Sequence, residues 1–376
     1  MLRTLTRGLT RWSLRSLESA ELALETVRRF ADRSPRYARD LAMTLVVVAQ
    51  RRAEAGLVDS AVDALAEAVA LSRGVGSPAE FARVLHQRMT VLYSLDRAAD
   101  ALADADEALA LFARSADEPL ADFLRTYGAC LARCGLLTEA VPVATRAVVL
   151  RRRLVARSPG TQQHELGDAL VNLSALLVRL ARHEDAAVIA TEAVLVVRRV
   201  VTALTEPILA VALLNLGASL ARLRPADGLR AADEAIGLLQ SRLDAEPGRH
   251  EEQLLAARLV RNLCLSRLDR PAEIVLGPYP LCARCRSTNG VVAVRSRQVH
   301  VRAHGRESCV DVRLAWLMPH LWAVCETTAC GEDEDGRSFV IPAFGRSDAA
   351  RQVLVRLGLE VTSEQGVLFF RLPPSA

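Results

Sequence analysis

The chain has 376 residues, of which 51% are hydrophobic and only 4% are aromatic. An aromatic-poor composition rich in Ala, Leu and Val favours closely packed helices over a β-sandwich. The 48 basic and 44 acidic residues leave a net charge of +4, which argues against non-specific nucleic-acid binding as the main activity. No stretch reaches the roughly 20 apolar residues that a membrane span needs.

Residues 1–15 form a basic N-terminal segment that carries much of the excess charge. Its four arginines have no acidic neighbour in the segment: Arg3, Arg7, Arg11 and Arg15. This composition is shared by organellar transit peptides and by basic amphipathic helices, and the helix is the favoured interpretation. No secretory signal pattern is present, so we expect a cytoplasmic protein whose cysteines are reduced or metal-bound.

A short pattern of one polar residue followed by two small or aliphatic residues recurs along the chain. Its copies begin at Glu25, Glu67, Glu107, Arg146, Glu192 and Glu234, a period of 39–46 residues. A second segment with apolar residues at helical spacing precedes most copies, predicting helices over 41–55, 81–95, 123–134, 166–180 and 208–223. Residues 251–268 predict a closing helix. Each unit is therefore a helix A, a turn, a helix B and a linker.

The repeats resemble the tetratricopeptide repeat (TPR) family. Its large-then-small pair in helix A is matched by Val48-Ala49, Tyr127-Gly128, Leu173-Ser174, Leu216-Gly217 and Leu263-Cys264. Its small residue opening helix B is matched by Ala61, Ala101, Ala140 and Ala186. The family's usual period is shorter, and longer units occur in repeats like those of kinesin light chains. The resemblance implies a mostly α fold, a right-handed α-α superhelical solenoid over residues 16–270. An unrelated α-solenoid or helical bundle is the alternative.

The resemblance also implies a partner-binding groove on the A helices, for a protein or peptide ligand. Two residues before the small helix-A position lie Gln87, Thr126, Asn172, Asn215 and Asn262, after an apolar Val47. Their amides could hold an extended peptide backbone. Five residues after that position lie Arg133, Arg179 and Arg222, a cationic stripe for a carboxylate-rich partner. Alternatively, both sets are solvated polar faces of amphipathic helices.

After Pro271 the helical period ends, and residues 273–376 predict a small α+β domain. Strands are expected over 291–294, 299–301, 310–314 and 321–324, followed by a β-α-β-β piece over 338–371. Two cysteine pairs flank these strands and resemble a zinc ribbon. That resemblance implies a structural zinc site with the ligands Cys282, Cys285, Cys325 and Cys330. Ordinary thiols, or a redox pair at Cys282 and Cys285, remain the alternatives.

Other candidate ligands are discounted. Cys309 is interpreted as a core thiol, with a role as a spare ligand left open. His300 and His304 on a strand would lie about 13 Å apart, too far for one metal. Cys130, Cys134 and Cys264 fall at small apolar positions within helices.

The sequence contains no phosphate-binding Gly-rich loop, no HExxH and no GxSxG. The main hypothesis is therefore a scaffold or regulatory protein rather than an enzyme. A nucleic-acid-associated regulator is the first alternative, because arginines cluster in the C-terminal domain at Arg284, Arg286, Arg295, Arg297, Arg302, Arg306 and Arg313. A metal-dependent enzyme with a site assembled from distant residues is the second.

Overall fold

A computed structural model of the chain describes residues 16–75, 77–114, 116–158, 162–202, 205–246, 250–333, 336–343, 346–364 and 366–372. The predicted basic segment over 1–15 lies outside the described residues. The chain divides into two compact units, one up to Ser219 and one from Leu220. This division falls within a helix, whereas the predicted boundary near Pro271 coincides with the change from helices to strands.

The first unit is built from helices joined by short turns. They are α1 (Leu17–Ala31), α2 (Ala38–Glu54), α3 (Val58–Arg73), α4 (Pro78–Ser94), α5 (Ala98–Ala101), α6 (Ala105–Phe112), α7 (Asp117–Arg133), α8 (Leu137–Arg157), α9 (Gln163–Arg179), α10 (His183–Arg198) and α11 (Glu206–Leu223), which continues into the second unit. The predicted A helices correspond to α2, α4, α7, α9 and α11. Each of α3, α8 and α10 packs against the A helix before it, which confirms the repeated helical hairpins.

The turns between paired helices follow from local backbone chemistry. Gly56 and Gly135 have φ angles of 76° and 79°, a left-handed conformation that glycine adopts without steric cost. The residue after each glycine donates its backbone N–H to a carbonyl in the last turn of the preceding helix. Leu57 donates to Arg52 and Leu136 donates to Leu131. This is a Schellman-type C-cap, and it sets the reversal that packs helix B on helix A.

The small residues of the repeat are buried where helices meet. Ala61, Ala140 and Ala186 have no exposed surface, and neither do Ala49 and Ser174. Because their side chains are short, neighbouring helices approach closely, and the helices from α1 to α8 share one apolar core. The B helix that follows α4 departs from the pattern, since three residues that are not helical split it into α5 and α6.

Helix α11 has the length and composition of a membrane span, with a mean hydropathy of 1.4 over 18 residues. Half of that window is buried inside the protein. Leu209 and Leu213 are buried in it, and Asn215 and Ser219 are buried with hydrogen bonds to other groups of the chain. This burial is that of a core helix.

The second unit contains two further long helices and a strand-rich domain. The helices are α12 (Pro225–Ala245) and α13 (Glu251–Arg267), which pack on each other, followed by α14 (Ala283–Asn289), α15 (Met318–Trp322) and α16 (Ser347–Arg356). The strands are β1 (Ile274–Val275), β2 (Tyr279–Pro280), β3 (Val291–Val294), β4 (Gln298–Ala303), β5 (Arg306–Asp311), β6 (Thr327–Glu332), β7 (Ser338–Pro342), β8 (Val361–Glu364) and β9 (Val367–Phe370). Helix α13 is the predicted closing helix.

The strands form three small sheets. Strand β3 pairs with β1 in parallel and with β2 antiparallel, while β4 and β5 form a hairpin. The third sheet has the antiparallel order β6-β7-β9-β8, and α16 connects β7 to β8, which confirms the predicted β-α-β-β piece. The strand predicted over 321–324 is wrong. Leu321 and Trp322 end helix α15 and bury their side chains in the core under this sheet.

A candidate binding groove and a candidate metal centre

A groove of about 400 Å³ opens in the first unit, in the region of helices α7 and α9. We call it the α7–α9 groove. Its lining is Tyr93, Arg125, Gly128, Ala129, Ala132, Arg133, Ala144, Ala147, Ala169, Asn172, Ala175, Leu176 and Arg179. Its size is within the range of small-molecule and peptide sites.

The helical period explains this lining. On α9 the lining residues Asn172, Ala175, Leu176 and Arg179 recur at intervals of three and four, and those of α7 follow the same rule. Seven of the thirteen lining residues are Ala or Gly. The small side chains that let these helices pack closely therefore also leave the open space of the groove between them.

Arginines give the groove its charge. Its lining contains three of them and no acidic side chain, although Arg125 Nε lies 3.8 Å from the Asp168 carboxylate outside the lining. The Arg133 guanidinium lies 5.0 Å from the centre of the Tyr93 ring, with Nε 3.3 Å from the Asp96 carboxylate. Arg179 donates to the Ala132 carbonyl at 3.2 Å. These contacts hold both guanidinium groups at the groove while leaving N–H donors for a ligand.

The structure brings together only part of the predicted partner-binding set. Asn172, Arg133 and Arg179 line the groove. Gln87 is exposed on α4 outside this lining, and Arg222 is exposed in the second unit.

Two predicted groove residues are instead structural. Thr126 is buried, and its hydroxyl lies 3.0 Å from His86 Nε2. Asn215 is buried, and its Nδ2 donates to the Val171 carbonyl at 3.0 Å and to Ser174 Oγ at 2.9 Å. Both therefore join neighbouring A helices, and the prediction that they face a ligand is wrong. A residue position within a repeat does not determine whether a polar side chain points outward or toward the next helix.

Asn262 binds an extended backbone, but that of its own chain. Its Nδ2 donates to the Glu273 carbonyl at 2.8 Å, and its Oδ1 accepts from the Glu273 amide at 3.0 Å. The amide thus makes the paired contact expected for a peptide ligand. Because the chain itself occupies Asn262, the predicted ladder of three asparagines is reduced to Asn172.

Among the charged, polar and aromatic residues of the groove lining, two were not predicted from the sequence, Arg125 and Tyr93. Arg125 lies eight residues before Arg133, a spacing that places both on one face of a helix. That spacing was the available signal. Tyr93 belongs to the preceding A helix, and its contribution depends on how the helices stack.

The second unit contains a cluster of three cysteines and one histidine. The ligand atoms of Cys282, Cys285, His300 and Cys309 all lie within 4.8 Å of one another. Cys282 caps the N-terminus of α14 and Cys285 lies in its first turn. His300 and Cys309 are directly opposed on β4 and β5, so their side chains share one face of the hairpin.

The distances in this cluster match a tetrahedral metal site. His300 Nδ1 lies 3.4 Å from Cys282 Sγ, 3.5 Å from Cys285 Sγ and 3.9 Å from Cys309 Sγ. Around a tetrahedral zinc ion, a ligating nitrogen and sulfur would be about 3.6 Å apart. Three thiolates and one imidazole also form one of the common structural zinc ligand sets. The residues present therefore fit a bound zinc ion.

Backbone amides stabilise negative charge on the sulfurs. The Cys285 amide donates to Cys282 Sγ at 3.4 Å, which lowers the pKa of Cys282 to about 7. The Cys282 amide donates to Cys309 Sγ at 3.3 Å, and the Cys309 amide donates to Cys285 Sγ at 3.1 Å. Such N–H donors are the usual environment of thiolates that bind a metal.

The predicted ligand set is half wrong. Cys282 and Cys285 are in the cluster, but Cys325 and Cys330 are not. Cys325 is buried in the core beneath the four-stranded sheet, and Cys330 packs against that core. Burial raises the pKa of both thiols, that of Cys330 to about 11, but it also raises that of Cys309 in the cluster to about 12, so it is position and not pKa that separates the two sets. Cys309 and His300, which sequence reasoning discounted, take their places.

The missed signal was the hairpin turn. His304 and Gly305 have φ angles of 52° and 76°, and they form a two-residue loop between β4 and β5. Such a loop fixes the strand register, and this register places His300 opposite Cys309. The structure places His304 in this loop and not on strand β4, so the strand spacing assumed for His300 and His304 does not apply, and the partner of His300 lies across the hairpin.

Carboxylates pair with part of the arginine cluster of this domain. Arg284 and Arg302 pair with Glu307, Arg306 lies 3.4 Å from Glu326, and Arg313 lies 2.6 Å from Glu332. Much of the positive charge that motivated a nucleic-acid hypothesis is therefore compensated within the domain.

Comparisons with known proteins give a likeness in structure but none in sequence. No protein-family model and no curated protein matches the sequence. BtubC (BKLC) from P. vanneervenii superposes with a TM-score of 0.53 at 18% identity, covering 62% of this chain and 93% of that one. A kinesin light chain-like protein of Podosopora anserina with nearly identical TPR-like repeats has a TM-score of 0.47 at 13% identity, covering 55% of this chain and 98% of that one.

Aspartyl phosphate phosphatase F from Bacillus subtilis has a TM-score of 0.48 at 14% identity, covering 64% of this chain and 60% of that one. At these identities the likeness concerns fold alone. The superposition on BtubC, together with the repeated helical hairpins and their buried small residues, shows that the helical region has the fold of a TPR-like solenoid.

Proposed function

We propose that this protein is a non-enzymatic interaction scaffold that binds an acidic, extended segment of a partner protein in the α7–α9 groove. The observation that supports it is the groove itself, an open space bounded by small side chains and flanked by three arginines with no carboxylate in its lining. TPR-like solenoids generally serve protein binding through such surfaces.

The groove chemistry suits a ligand that carries carboxylates on an extended backbone. Arg133 and Arg179 stand one on each of α7 and α9 and offer N–H forks to carboxylates, and Asn172 offers both a donor and an acceptor to a peptide group. Exposed charge pairs contribute up to about 1 kcal/mol each, and the upper value applies to a bidentate contact between a guanidinium and a carboxylate. Losing both arginines should therefore weaken binding by about 2 kcal/mol, roughly 30-fold.

A random peptide display library selected on the full-length protein tests this proposal. We expect selected peptides to be enriched in Asp and Glu, and their binding to weaken as salt is raised. The Arg133→Ala/Arg179→Ala variant should lose the enrichment. A matched variant, Arg29→Ala/Arg182→Ala, removes two exposed arginines that pair with the nearby acids Glu25 and Asp185 and should keep it. Selection of neutral or basic peptides, or equal enrichment with both variants, would refute the proposal.

We further propose that the second unit contains a structural zinc ion bound by Cys282, Cys285, His300 and Cys309. Four protein ligands close a tetrahedral site, so the ion would stabilise this small domain rather than perform chemistry. The site joins helix α14 to the β4–β5 hairpin. It requires reduced thiols, which agrees with the proposed cytoplasmic location.

Metal analysis of reduced, purified protein tests the zinc site. We expect one zinc per chain in the wild type and in Cys325→Ser, and a loss of zinc in Cys309→Ser. This pair of variants separates the observed cluster from the ligand set expected of a zinc ribbon. Zinc loss in Cys325→Ser with retention in Cys309→Ser would contradict the assignment.

A further inference from the structure

Beside the proposed zinc ligands lies a carboxylate that none of the sequence patterns singled out, Glu307. Its Oε2 is 3.5 Å from Nε2 of His300, whose other ring nitrogen faces the three cysteine sulfurs. Glu307 also pairs with Arg284 and with Arg302, whose Nη2 lies 2.7 Å from Glu307 Oε2. Its side chain is 18% exposed, well below that of either arginine.

The hairpin register explains how these groups meet. Side chains two residues apart on a strand lie on the same face of the sheet. One face of the hairpin therefore carries residues 300 and 302 from β4 and residues 307 and 309 from β5. Cys309 stands directly opposite His300, and Glu307 stands opposite Arg302 and diagonal to His300. One face of a single hairpin therefore carries two ligands of the cluster and a carboxylate that contacts one of them.

We infer that Glu307 is a positioning residue of the zinc site, which accepts a hydrogen bond from Nε2–H of His300 and so directs Nδ1 to the metal. A neutral imidazole has one donor and one acceptor nitrogen, and the partner of one nitrogen decides which of them is free to ligate. Carboxylates that orient a metal-bound histidine in this way raise both its basicity and the metal affinity. The inference rests on the proposed zinc site.

Charge balance supports the same arrangement. Zinc with three thiolates and one neutral histidine carries one net negative charge, and Glu307 adds a second. Arg284 and Arg302 supply two positive charges at the Glu307 carboxylate. The metal and its four ligands, together with Glu307, Arg284 and Arg302, then have no net charge. The Glu307 carboxylate therefore leaves no uncompensated charge beside the site.

Cobalt(II) titration of the full-length, reduced, metal-free protein tests the inference. Bound Co²⁺ reports tetrahedral thiolate coordination through its visible absorption, and competition with zinc then ranks the affinities. We expect Glu307→Ala to bind roughly 10–100-fold more weakly with an unchanged tetrahedral spectrum, because the four ligands remain. Glu307→Gln should lose less, since its amide oxygen still accepts from Nε2–H. The control Glu326→Ala, an exposed carboxylate paired with Arg306, should bind as the wild type does.

Nitrogen-15 NMR of the zinc-loaded wild type gives a second readout that a merely structural role of Glu307 would not affect. We expect the His300 ring to be protonated at Nε2 and bound to metal at Nδ1. If the wild type binds no Co²⁺, the zinc proposal itself fails. If it binds but Glu307→Ala matches Glu326→Ala in affinity, or His300 ligates through Nε2, the zinc site stands and the role of Glu307 is refuted.

Discussion

Two asparagines at equivalent repeat positions are expected to have opposite roles, and substituting each by alanine separates them. Asn215 is buried and donates two hydrogen bonds to helix α9, to the Val171 carbonyl and to Ser174 Oγ. Each buried hydrogen bond contributes about 1 kcal/mol. Asn215→Ala should therefore lower the free energy of unfolding by about 2 kcal/mol. Asn172→Ala, at the groove, should change it by less than about 0.5 kcal/mol.

Urea unfolding followed by far-ultraviolet circular dichroism measures both changes, and hydrogen exchange of amides in α9 and α11 localises them. Binding of an acidic peptide should show the reverse order, with Asn172→Ala weakened and Asn215→Ala near wild type while folded. Equal stability losses in the two variants, or no loss in Asn215→Ala, would refute the assignment of Asn215 as a structural residue.

Further predictions concern packing and pH. Burial lowers the pKa of His86 from 6.5 to about 4, so the unfolded chain binds a proton that the folded chain does not between these values. The free energy of unfolding should thus fall by about 3 kcal/mol as the pH drops from above 6.5 to 4, at about 1.36 kcal/mol for each unit of pKa shift. In His86→Gln, urea unfolding over the same pH range should show this loss removed. An unchanged dependence of stability on pH in the variant would contradict this. Gly237→Ala, with no neighbour within 4 Å of the added carbon on α12, should raise the melting temperature by gaining about 1 kcal/mol of helix propensity. Gly167→Ala should lower it, because the new carbon would lie 2.4 Å from Val197 Cγ2, and an increase there would contradict the α9–α10 packing.

The repeat architecture could be predicted because its signals are local and recur. Apolar residues at helical spacing and small residues such as Ala61 and Ala140 mark the faces that must be buried, whatever the partner helix is. The helix breaks at Gly56 and Gly135 are likewise set by the backbone conformation of single residues. Repetition then made weak individual matches convincing together.

The sites could be predicted only in part, because they depend on contacts between elements. Asn172 and Asn215 are equivalent in sequence, yet one borders open space and the other bonds to the next helix. The Cys282–Cys285 pair was found because its two-residue spacing is local. His300 and Cys309 required the register of a hairpin, and the spacing of Cys325 and Cys330 resembled a ligand pair although the fold buries Cys325 in a core and packs Cys330 against it.

The central claim is that the α7–α9 groove binds an acidic peptide through Arg133 and Arg179. Isothermal titration of one acidic peptide selected from the library, at two salt concentrations, tests it most directly. We expect the Arg133→Ala/Arg179→Ala variant to bind roughly 30-fold more weakly than the wild type and with a smaller salt dependence. The Arg29→Ala/Arg182→Ala control should match the wild type. Equal affinity of the groove variant and the control would contradict the account.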